Sequence, residues 1–209
     1  MNAKLIAPTQ GASKAARGRP RAFDPEAALA EGQRLFHAYG YDAVGLSALT
    51  EALGIKPPSF YTAFGSKAAF FERVLERYAS TELVLADVLR TDLDPAAALA
   101  DLLERAARRY ARDPARRGCL VLESARGNDD SESAAMARRI AERRRDQVRR
   151  FIAATHPRQA GAVTDYVALV MSGLSAGARE GMRVTRLLAV ARAAAESVRL
   201  LLGEAPVRG

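Results

Sequence analysis

Apolar residues recur at three- and four-residue intervals along most of the chain, which is the spacing of one face of an α-helix. These segments alternate with short polar stretches rich in proline, glycine, asparagine and aspartate, the residues that interrupt helices. We find neither a convincing alternation of apolar and polar residues nor a repeat of fixed period. The pattern therefore predicts an all-α protein of about nine helices.

The first predicted helix begins at Asp24-Pro25-Glu26, where a capping side chain, a proline and an acid stand in the order favoured at helix starts. Two short helices are predicted at 46–53 and 58–64. A long helix capped by Ser66 carries an apolar stripe that continues as far as Leu89. The later helices are predicted at 95–112, 119–126, 133–154, 159–181 and 185–202.

The two short helices are joined by Gly54-Ile55-Lys56, and this helix-turn-helix spacing is one with which many proteins read DNA. Glycine permits the sharp turn, and apolar residues on both helices are placed to pack them together. The second helix directs Ser59, Tyr61 and Thr62 outward. A helical hairpin inside an all-α core shows the same pattern, so both interpretations stay open on the residues alone.

The segment from Gly54 to Lys67, GIKPPSFYTAFGSK, resembles the DNA-binding signature of the tetracycline-repressor (TetR) family. The resemblance is strong over residues 18–75, whereas the following helices match the family only in number and length. It implies a homodimeric, ligand-responsive transcriptional regulator, most simply a repressor, with an N-terminal three-helix DNA-binding domain. The expected divisions of the chain are a flexible basic arm at 1–21, the DNA-binding domain at 22–67, and a helical ligand-sensing and dimerisation domain at 68–209.

The same resemblance implies which residues approach DNA. The family residue at the position of Tyr61 touches the DNA backbone, and the lysine at Lys67 anchors the next helix to a phosphate. Two departures weaken the match: Ala63 stands where many members carry histidine, and Gly45 replaces the usual threonine cap. Other positions at which family members approach bases or backbone are occupied by Ser47, Lys56, Pro57, Ser59 and Thr62.

The formal net charge of +8 is unevenly distributed along the chain. Residues 1–21 contain five basic residues and no acid. Arg17, Arg19 and Arg21 of this arm are candidates to follow the DNA backbone or to enter a narrow minor groove. A solvated tail is the alternative. The DNA-binding domain has more acids than bases, so its specificity must come from a few placed residues instead of bulk charge.

The last two predicted helices contain small residues among mainly apolar ones. Small residues let helices approach one another closely. We expect them to form a four-helix interface with a second copy of the chain, as the family resemblance also implies. An internal hairpin of the core is the alternative. The predicted dimer-facing residues are Val167, Val170, Met171, Leu174, Gly177, Leu187, Ala191, Ala194 and Val198.

Arg144 falls in the middle of an apolar arc on the helix predicted at 133–154. An arginine in that position extends to water, pairs with a buried acid, or meets an anionic ligand. Glu123 is the nearest candidate for such an acid. The ligand alternative predicts an inducer pocket among the central helices, and its candidate lining residues are Tyr110, Cys119, Glu123, Met136 and Arg144.

Cys119 follows Arg116-Arg117-Gly118 at a predicted helix start. Positive neighbours and a helix N-terminus favour a reactive thiolate, and the segment Gly-Cys-Leu-Val resembles one in family members that sense oxidants or electrophiles. A small buried packing residue is the alternative. The arginines spaced along the helix predicted at 95–112 are expected to form a solvated face.

Few residues suit catalysis. The two histidines, His37 and His156, lack a metal-ligand spacing, and no glycine-rich phosphate loop is present. His37 is expected to be a surface or packing residue. A single cysteine excludes an internal disulfide and suits a reducing compartment. We therefore expect a non-enzymatic protein without metal or cofactor.

Membrane insertion is not expected either, because the longest uncharged stretch, 166–178, is shorter than the roughly 18–20 residues of a membrane span. The sequence thus predicts a cytoplasmic regulator whose partners are double-stranded operator DNA, a second copy of the chain and a small-molecule inducer. A DNA-binding protein without ligand control and a basic helix that lies on a membrane surface are the alternatives.

Overall fold

The computed structural model describes residues 23–127 and 131–203, and all regular structure in these ranges is helical. The predicted all-α class is confirmed. Apart from the end of α4, the ends of the later helices lie within two residues of the predicted positions. The elements are α1 Pro25–Tyr39, α2 Leu46–Ala52, α3 Pro57–Phe64, α4 Lys67–Thr81, a 3₁₀ turn Leu85–Asp87, α5 Pro95–Ala111, α6 Leu120–Ser124, α7 Glu132–Ala153, α8 Ala160–Arg179 and α9 Val184–Leu202.

Local sequence explains why several helices begin where they do. The carboxylate of Asp24 accepts a hydrogen bond from the N–H of Glu26 at 2.9 Å, and the hydroxyl of Ser66 accepts one from the N–H of Ala69 at 3.0 Å. Each such cap stabilises a helix by about 1 kcal/mol. Gly45 precedes α2 and has no side chain with which to cap it, so α2 lacks this contribution.

The first four helices enclose an aromatic core. Phe36 of α1, Phe60 of α3, and Phe70 and Phe71 of α4 are almost completely buried. The ring centroids of Phe36 and Phe71 lie 4.8 Å apart, and those of Phe60 and Phe70 lie 5.2 Å apart. Gly32 on α1 packs directly against this cluster, because a Cβ atom added there would lie 2.5 Å from the ring of Phe70. The core fixes α3 on the domain and leaves its opposite face to solvent.

The C-terminal half is organised around α5, which packs on both α8 and α9. Helix α7 packs on α4, α6 and α8. Helix α4 belongs to both halves of the chain, because it contacts α1 and α3 as well as α6 and α7. Within the ranges 23–127 and 131–203, none of the helices combines the length and the apolar character that a membrane crossing requires.

The predicted continuation of the fourth helix to Leu89 is wrong. Helix α4 ends at Thr81, Glu82 has an extended backbone, and Leu83 has a φ of +50°. A residue with a Cβ atom rarely adopts this left-handed conformation, and it cannot continue a helix. The apolar stripe persists beyond the helix because Leu85, in the 3₁₀ turn, still reaches the core.

Side chains of distant helices stabilise this early end of α4. The guanidinium group of Arg144 donates hydrogen bonds to the carbonyl oxygens of Ala79 and Leu83, each at 2.8 Å. Arg109 of α5 forms an ion pair with Glu82. Because Arg109 is partly buried in that pair, the prediction of a wholly solvated arginine face on α5 is wrong at this position.

Candidate nucleic-acid interface and ligand cavity

Helices α2 and α3 form a helix-turn-helix pair whose turn depends on Gly54. This residue has a φ of +63°, a conformation that favours glycine. The N–H of Ile55 donates to the carbonyl oxygen of Thr50 at 3.0 Å and closes the turn. Leu49 and Phe60 are fully buried on the inner faces of the two helices. The exposed face of α3 is thus held in one orientation relative to the domain.

The residues predicted to approach DNA from α2 and α3 lie at the protein surface. The side chain of Tyr61 is 51% exposed. The hydroxyl of Thr62 donates to the carbonyl oxygen of Pro58 at 2.9 Å, which leaves its acceptor lone pairs for an outside donor. Ser47, Lys56, Pro57 and Ser59 are exposed as well. Arg17, Arg19 and Arg21 lie outside the described residues.

Lys67 is the first residue of α4, and only Gly65 and Ser66 separate it from the end of α3. Its Nζ lies 4.0 Å from the centroid of the Tyr41 ring, a cation–π contact that orients the ammonium group. Burial lowers the pKa of Lys67, and the nearby carboxylate of Asp42 opposes this effect. A lysine at the positive end of a 15-residue helix is a suitable group for contact with a phosphate.

A cavity of about 90 Å³ lies among α4, α5, α6, α7 and α8. Three of the five predicted pocket residues, Tyr110, Cys119 and Arg144, line it. Glu123 and Met136 do not line this cavity, so their prediction as part of the same pocket is not supported. Glu82, Arg145 and Ser172 also line it, and the apolar side chains of its wall are Leu83, Leu85, Leu102, Val121, Leu122, Ala141, Val148, Val167, Ala168 and Met171.

Sequence reasoning missed Thr164, which lines the same cavity. Thr164 is 2% exposed, and its Oγ1 has no hydrogen-bond partner in the part of the chain that the structure describes. Burying an unpaired hydroxyl costs about 1–3 kcal/mol. The available sequence signal was a hydroxyl on the apolar face of α8, between Val163 and Val167.

The predicted pairing of Arg144 with Glu123 is wrong. Arg144 donates instead to the backbone carbonyls at the end of α4. Glu123 accepts a hydrogen bond from the hydroxyl of Ser175 and lies 3.4 Å from the guanidinium of Arg126. A separate, more open cleft of about 690 Å³ lies beside the cavity, and both are lined by Arg144 and Leu85. Arg144 therefore contributes to the wall between the two spaces.

Cys119 is the residue before the first turn of α6 and is 8% exposed. Its side chain interacts with the hydroxyl groups of Tyr78 and Tyr110. Burial raises the pKa of both phenols well above their ordinary value, and Cys119 adds to this effect, so both tyrosines are neutral at pH 7. Helix α6 has only five residues, and it therefore offers the thiol a weak helix dipole.

His37 connects α1 to the C-terminal half. The residue is buried, as the packing interpretation predicts, and its Nε2 lies 3.2 Å from the carbonyl oxygen of Gly118. The guanidinium of Arg179 on α8 donates to the carbonyl oxygen of His37 at 3.1 Å. Burial lowers the pKa of His37 to about 4, and the hydrogen bond to Gly118 offsets part of that shift. The imidazole is therefore neutral at pH 7.

The residues predicted to face a second copy on α8 and α9 are mostly buried within the chain itself. Seven of the nine are core residues, which are Val167, Leu174, Gly177, Leu187, Ala191, Ala194 and Val198. For these residues the prediction is corrected, because they pack their helices on α5 and on each other. The outward sides of the same helices expose other apolar residues, among them Leu169 at 73%, Val190 at 48% and Leu200 at 58%.

A helix-turn-helix pair on an all-helical body that contains an internal cavity defines the class of helix-turn-helix regulatory proteins. Residues 28–74 match the family described as bacterial regulatory proteins, tetR family. The chain is 44% identical over 188 residues to the HTH-type transcriptional repressor BdcR of Escherichia coli (strain K12), covering 90% of this chain and 95% of BdcR. The chain belongs to the TetR family.

Two further relatives extend the comparison. The HTH-type transcriptional repressor ComR of the same E. coli strain is 28% identical over 190 residues, covering 85% of this chain and 90% of ComR. Among solved structures, a cysteine mutant of the TetR family regulator CifR, complexed with 26-base-pair double-strand operator DNA, has a TM-score of 0.73 and 34% identity. This match covers 85% of the present chain and 98% of the CifR chain.

Proposed function

We propose that this protein is a non-enzymatic transcriptional repressor that binds a palindromic operator as a homodimer and releases it when a small-molecule inducer binds. The observation that carries the proposal is the exposed face of α3, which the aromatic core holds in a fixed orientation beside Lys67. The similarity to the repressor BdcR, and to CifR in its operator complex, supports repression and DNA binding. Operator binding implies a cytoplasmic location.

The exposed residues divide into two functional groups. Lys56, Tyr61 and Lys67 position the module on DNA phosphates, which fixes its register without reading sequence. Ser59 and Thr62 lie on the same short helix and contact base edges in the major groove. Because the exposed hydroxyl of Thr62 already donates its proton to Pro58, it serves as an acceptor for an exocyclic amine of adenine or cytosine.

The basic arm supplies affinity that is independent of sequence. Arg17, Arg19 and Arg21 contact phosphates beside the half-site or enter the minor groove, and they compensate for the net negative charge of the domain that follows. In this arrangement the arm carries the charge that attracts DNA, and the side chains of α3 recognise the DNA sequence.

Dimerisation takes place through the outward sides of α8 and α9. These two neighbouring helices of one chain expose Leu169 and Val190, and a Cβ atom added at Gly173 would meet no described atom within 4 Å apart from its chain neighbours and the nearby backbone of its own helix. An apolar surface with small residues lets two helices of a second copy pack closely against it. A dimer places two α3 helices on successive major grooves, and this geometry explains a palindromic operator.

Inducer control follows from the position of α4. Tyr78 of α4 lines the cavity, and its ring lies against the imidazole of His37 on α1, with ring centroids 5.5 Å apart. A molecule in the cavity therefore acts on a helix that the DNA-binding domain and the C-terminal half share. A small displacement of α4 changes the separation of the two α3 helices and misaligns both half-sites together.

Operator binding is tested by fluorescence anisotropy with labelled DNA from upstream of the gene. The Tyr61→Phe variant removes one hydroxyl from an exposed side chain, and we expect it to weaken binding roughly tenfold by the loss of hydrogen bonds to phosphate. Tyr39→Phe is the matched control, because Tyr39 is exposed near the end of α1, away from α3. Equal affinities of Tyr61→Phe, Tyr39→Phe and the unmodified protein would contradict the proposed contact surface.

A second candidate function is repression controlled by the thiol of Cys119. The observation in its favour is that Cys119 lines the cavity, so that a small electrophile which enters it reaches the sulfur. Intact-mass measurement after mild treatment with an electrophile tests this function. A folded protein that stays unmodified at Cys119 would exclude it and leave Cys119 as a packing residue.

A further inference from the structure

The open cleft of about 690 Å³ lies beside the early end of α4. One wall is a face of α7, formed by residues at three- and four-residue spacing from Ile140 to Ala154. The opposite wall consists of the C-terminal part of α4, the 3₁₀ turn and the segment that leads into α5. Small-molecule sites in proteins usually measure roughly 300–1,000 Å³, so the cleft has the volume of such a site.

Apolar side chains contribute to both walls of the cleft. Ile140 of α7 lines it and is buried in the core. Other apolar lining residues keep part of their surface accessible to solvent, and they are Val84, Leu89, Leu93 and Phe151. Accessible apolar surface that is bordered by polar residues is typical of a groove that binds a ligand. The walls therefore favour a ligand with a hydrocarbon body.

The charged residues of the cleft are mainly basic. Arg143, Arg144 and Arg150 line it, and Glu76 is the one acid of its lining among the residues that the structure describes. The formal charge of these four side chains is +2, from three positive groups and one negative group. The uncharged polar residues of the lining are Ser80, Thr91, Gln147 and Thr155. A positive lining attracts an anion and disfavours a cation.

The three arginines differ in what their side chains bind. Arg143 forms an ion pair with Glu76, and Arg144 donates to two backbone carbonyl oxygens at the end of α4. Arg150 is exposed, and within residues 23–127 and 131–203 its side chain forms neither an ion pair nor a hydrogen bond. A carboxylate therefore reaches Arg150 without displacing a protein group, and it matches the planar guanidinium with two hydrogen bonds.

We propose that this cleft binds a small organic anion with an apolar body, such as a medium-chain carboxylate, whose carboxylate pairs with Arg150. The inference goes beyond the proposed function, because it holds whether or not a molecule in the smaller cavity controls DNA binding. An exposed ion pair strengthens binding at most about fivefold. The hydrocarbon body supplies the larger part of the affinity, up to about fourfold for each methylene that leaves water.

The test compares octanoate with 1-octanol, which has the same chain without the charge, and with acetate, which has the charge without the chain. Binding to the full chain, in the absence of DNA, is followed by NMR of isoleucine δ1-methyl groups. Ile140 lines the cleft, whereas Ile55 and Ile152 do not and serve as internal references. We expect octanoate to shift the Ile140 signal saturably, and to bind at least about threefold more tightly than 1-octanol.

Three results of these titrations overturn the proposal. The first is the absence of an Ile140 shift with octanoate. The second is a shift of equal size at Ile55, which would show association with the protein surface in general. The third is binding of 1-octanol as tight as that of octanoate, which would mean an apolar site without preference for an anion. Acetate should give no saturable shift at the same concentrations, because it buries little apolar surface.

Arg150→Gln tests the partner of the carboxylate. We expect the variant to weaken octanoate binding about fivefold and to change 1-octanol binding less than about twofold. Arg149→Gln is the matched control, because Arg149 is exposed on the same helix and loses the same charge but does not line the cleft. Equal weakening in the two variants overturns the assignment of Arg150, since it would reflect net charge alone.

Glu76→Gln provides a test in which binding becomes stronger. The change removes the negative charge from the lining and releases Arg143, so we expect octanoate to bind about threefold more tightly. Glu72→Gln is the control, because Glu72 joins the same two helices through an ion pair with Arg139 but does not line the cleft. It should leave octanoate binding unchanged. Glu76→Gln without tighter binding, or with the same effect as Glu72→Gln, overturns the proposed role of charge in the cleft.

Discussion

Nε2 of His37 donates a hydrogen bond to the carbonyl oxygen of Gly118, 3.2 Å away, and this bond joins α1 of the DNA-binding domain to the segment before α6. A carbonyl oxygen only accepts, so the neutral imidazole carries its proton on Nε2. Gly118 is followed directly by Cys119, which lines the cavity. The DNA-binding helices are thus one hydrogen bond and one residue away from the candidate ligand site.

The buried neutral imidazole of His37 predicts a loss of stability in acid. Its pKa falls from 6.5 to about 4 on folding, so the unfolded chain takes up this proton first as the pH decreases. The contribution of His37 is complete above pH 6.5 and is lost as the pH falls through about 4. We expect a decrease of up to roughly 3 kcal/mol in the free energy of unfolding over this interval. Urea unfolding at a series of pH values measures it.

His37→Gln provides the comparison, because the glutamine amide also donates a hydrogen bond but does not titrate. We expect the variant to lose this component of the pH dependence between pH 6.5 and 4. If the unfolding free energies of the variant and the unmodified protein run parallel over that interval, His37 is not the responsible group.

Close packing at Gly32 predicts a sharp effect of one added methyl group. A Cβ atom there would lie 2.5 Å from Cε1 and Cζ of Phe70 and 3.1 Å from Val74, both in the core. Alanine is preferred to glycine inside a helix by about 1 kcal/mol, but overpacking of this kind usually costs roughly 1–3 kcal/mol or more. We expect Gly32→Ala to lower the melting temperature.

The matched control for that substitution is Gly161→Ala in the first turn of α8, where an added Cβ would meet no described atom within 4 Å apart from its chain neighbours and the nearby backbone of its own helix. Only the helix preference acts there, so we expect an unchanged or higher melting temperature. A similar decrease for both variants would refute the role of packing against Phe70.

Local signals predict most of the helices but not the end of α4. The capping residues Asp24 and Ser66 and the turn at Gly54 mark their elements in the sequence itself. The left-handed conformation of Leu83, in contrast, is held by Arg144 of a distant helix. Arg144 binds backbone carbonyl groups. Because every residue carries such a group, a sequence pattern cannot identify which ones Arg144 binds. For this reason the pattern favours Glu123, a plausible but wrong partner.

The predicted dimer residues show a second limit of the pattern. Helices α8 and α9 are apolar on two sides, one that packs within the chain and one that faces outward. The spacing of apolar residues identifies both Leu174, which is buried, and Leu169, which is exposed. It does not tell which side meets the same chain, because this depends on where α5 lies.

The hydroxyl of Thr164, which finds no partner among residues 23–127 and 131–203, predicts that the ligand-free protein becomes more stable when the hydroxyl is removed. Valine has nearly the same shape, so Thr164→Val removes the desolvation cost without opening a cavity. We expect the free energy of unfolding to rise by about 1 kcal/mol. Thr185→Val is the control, because Thr185 is exposed at the start of α9 and its change should stay within about 0.5 kcal/mol. A marked loss of stability in Thr164→Val would show that its hydroxyl is paired in solution.

The exposed side of α8 predicts a variant that separates the subunits. Leu169 is 73% exposed in the single chain, so we expect a glutamate there to leave the fold of the chain intact but to place a charge in the proposed apolar dimer interface. We expect Leu169→Glu to reduce the mass measured by light scattering from that of two chains to that of one. It should also weaken binding to a full palindrome much more than binding to a half-site.

Leu93→Glu is the control for that experiment, because Leu93 is also an exposed leucine, at 40%, but precedes α5 instead of lying on α8 or α9. It should leave the mass of two chains unchanged. A dimer that persists in Leu169→Glu places the interface elsewhere.

The basic arm predicts the salt dependence of operator binding. Each phosphate contact made by an arginine releases counterions, and the slope of log K against log salt concentration changes by about 0.9 for each contact. Replacing Arg17, Arg19 and Arg21 together by alanine should therefore make the slope shallower and weaken binding at low salt. Preference for the operator over unrelated DNA should change little, since the proposal assigns the base contacts to α3. Anisotropy titrations at several salt concentrations measure both quantities.

General charge effects are separated from arm contacts by a second triple variant with the same loss of charge. Arg90, Arg149 and Arg158 are exposed, follow α4 in the chain and are suitable for replacement by alanine. This variant should keep the slope of the unmodified protein, because its charges lie away from the DNA-binding helices and are screened over about 10 Å at roughly 0.1 M salt. Equal slopes in the two triple variants would mean that the arm attracts DNA only through net charge and makes no phosphate contacts.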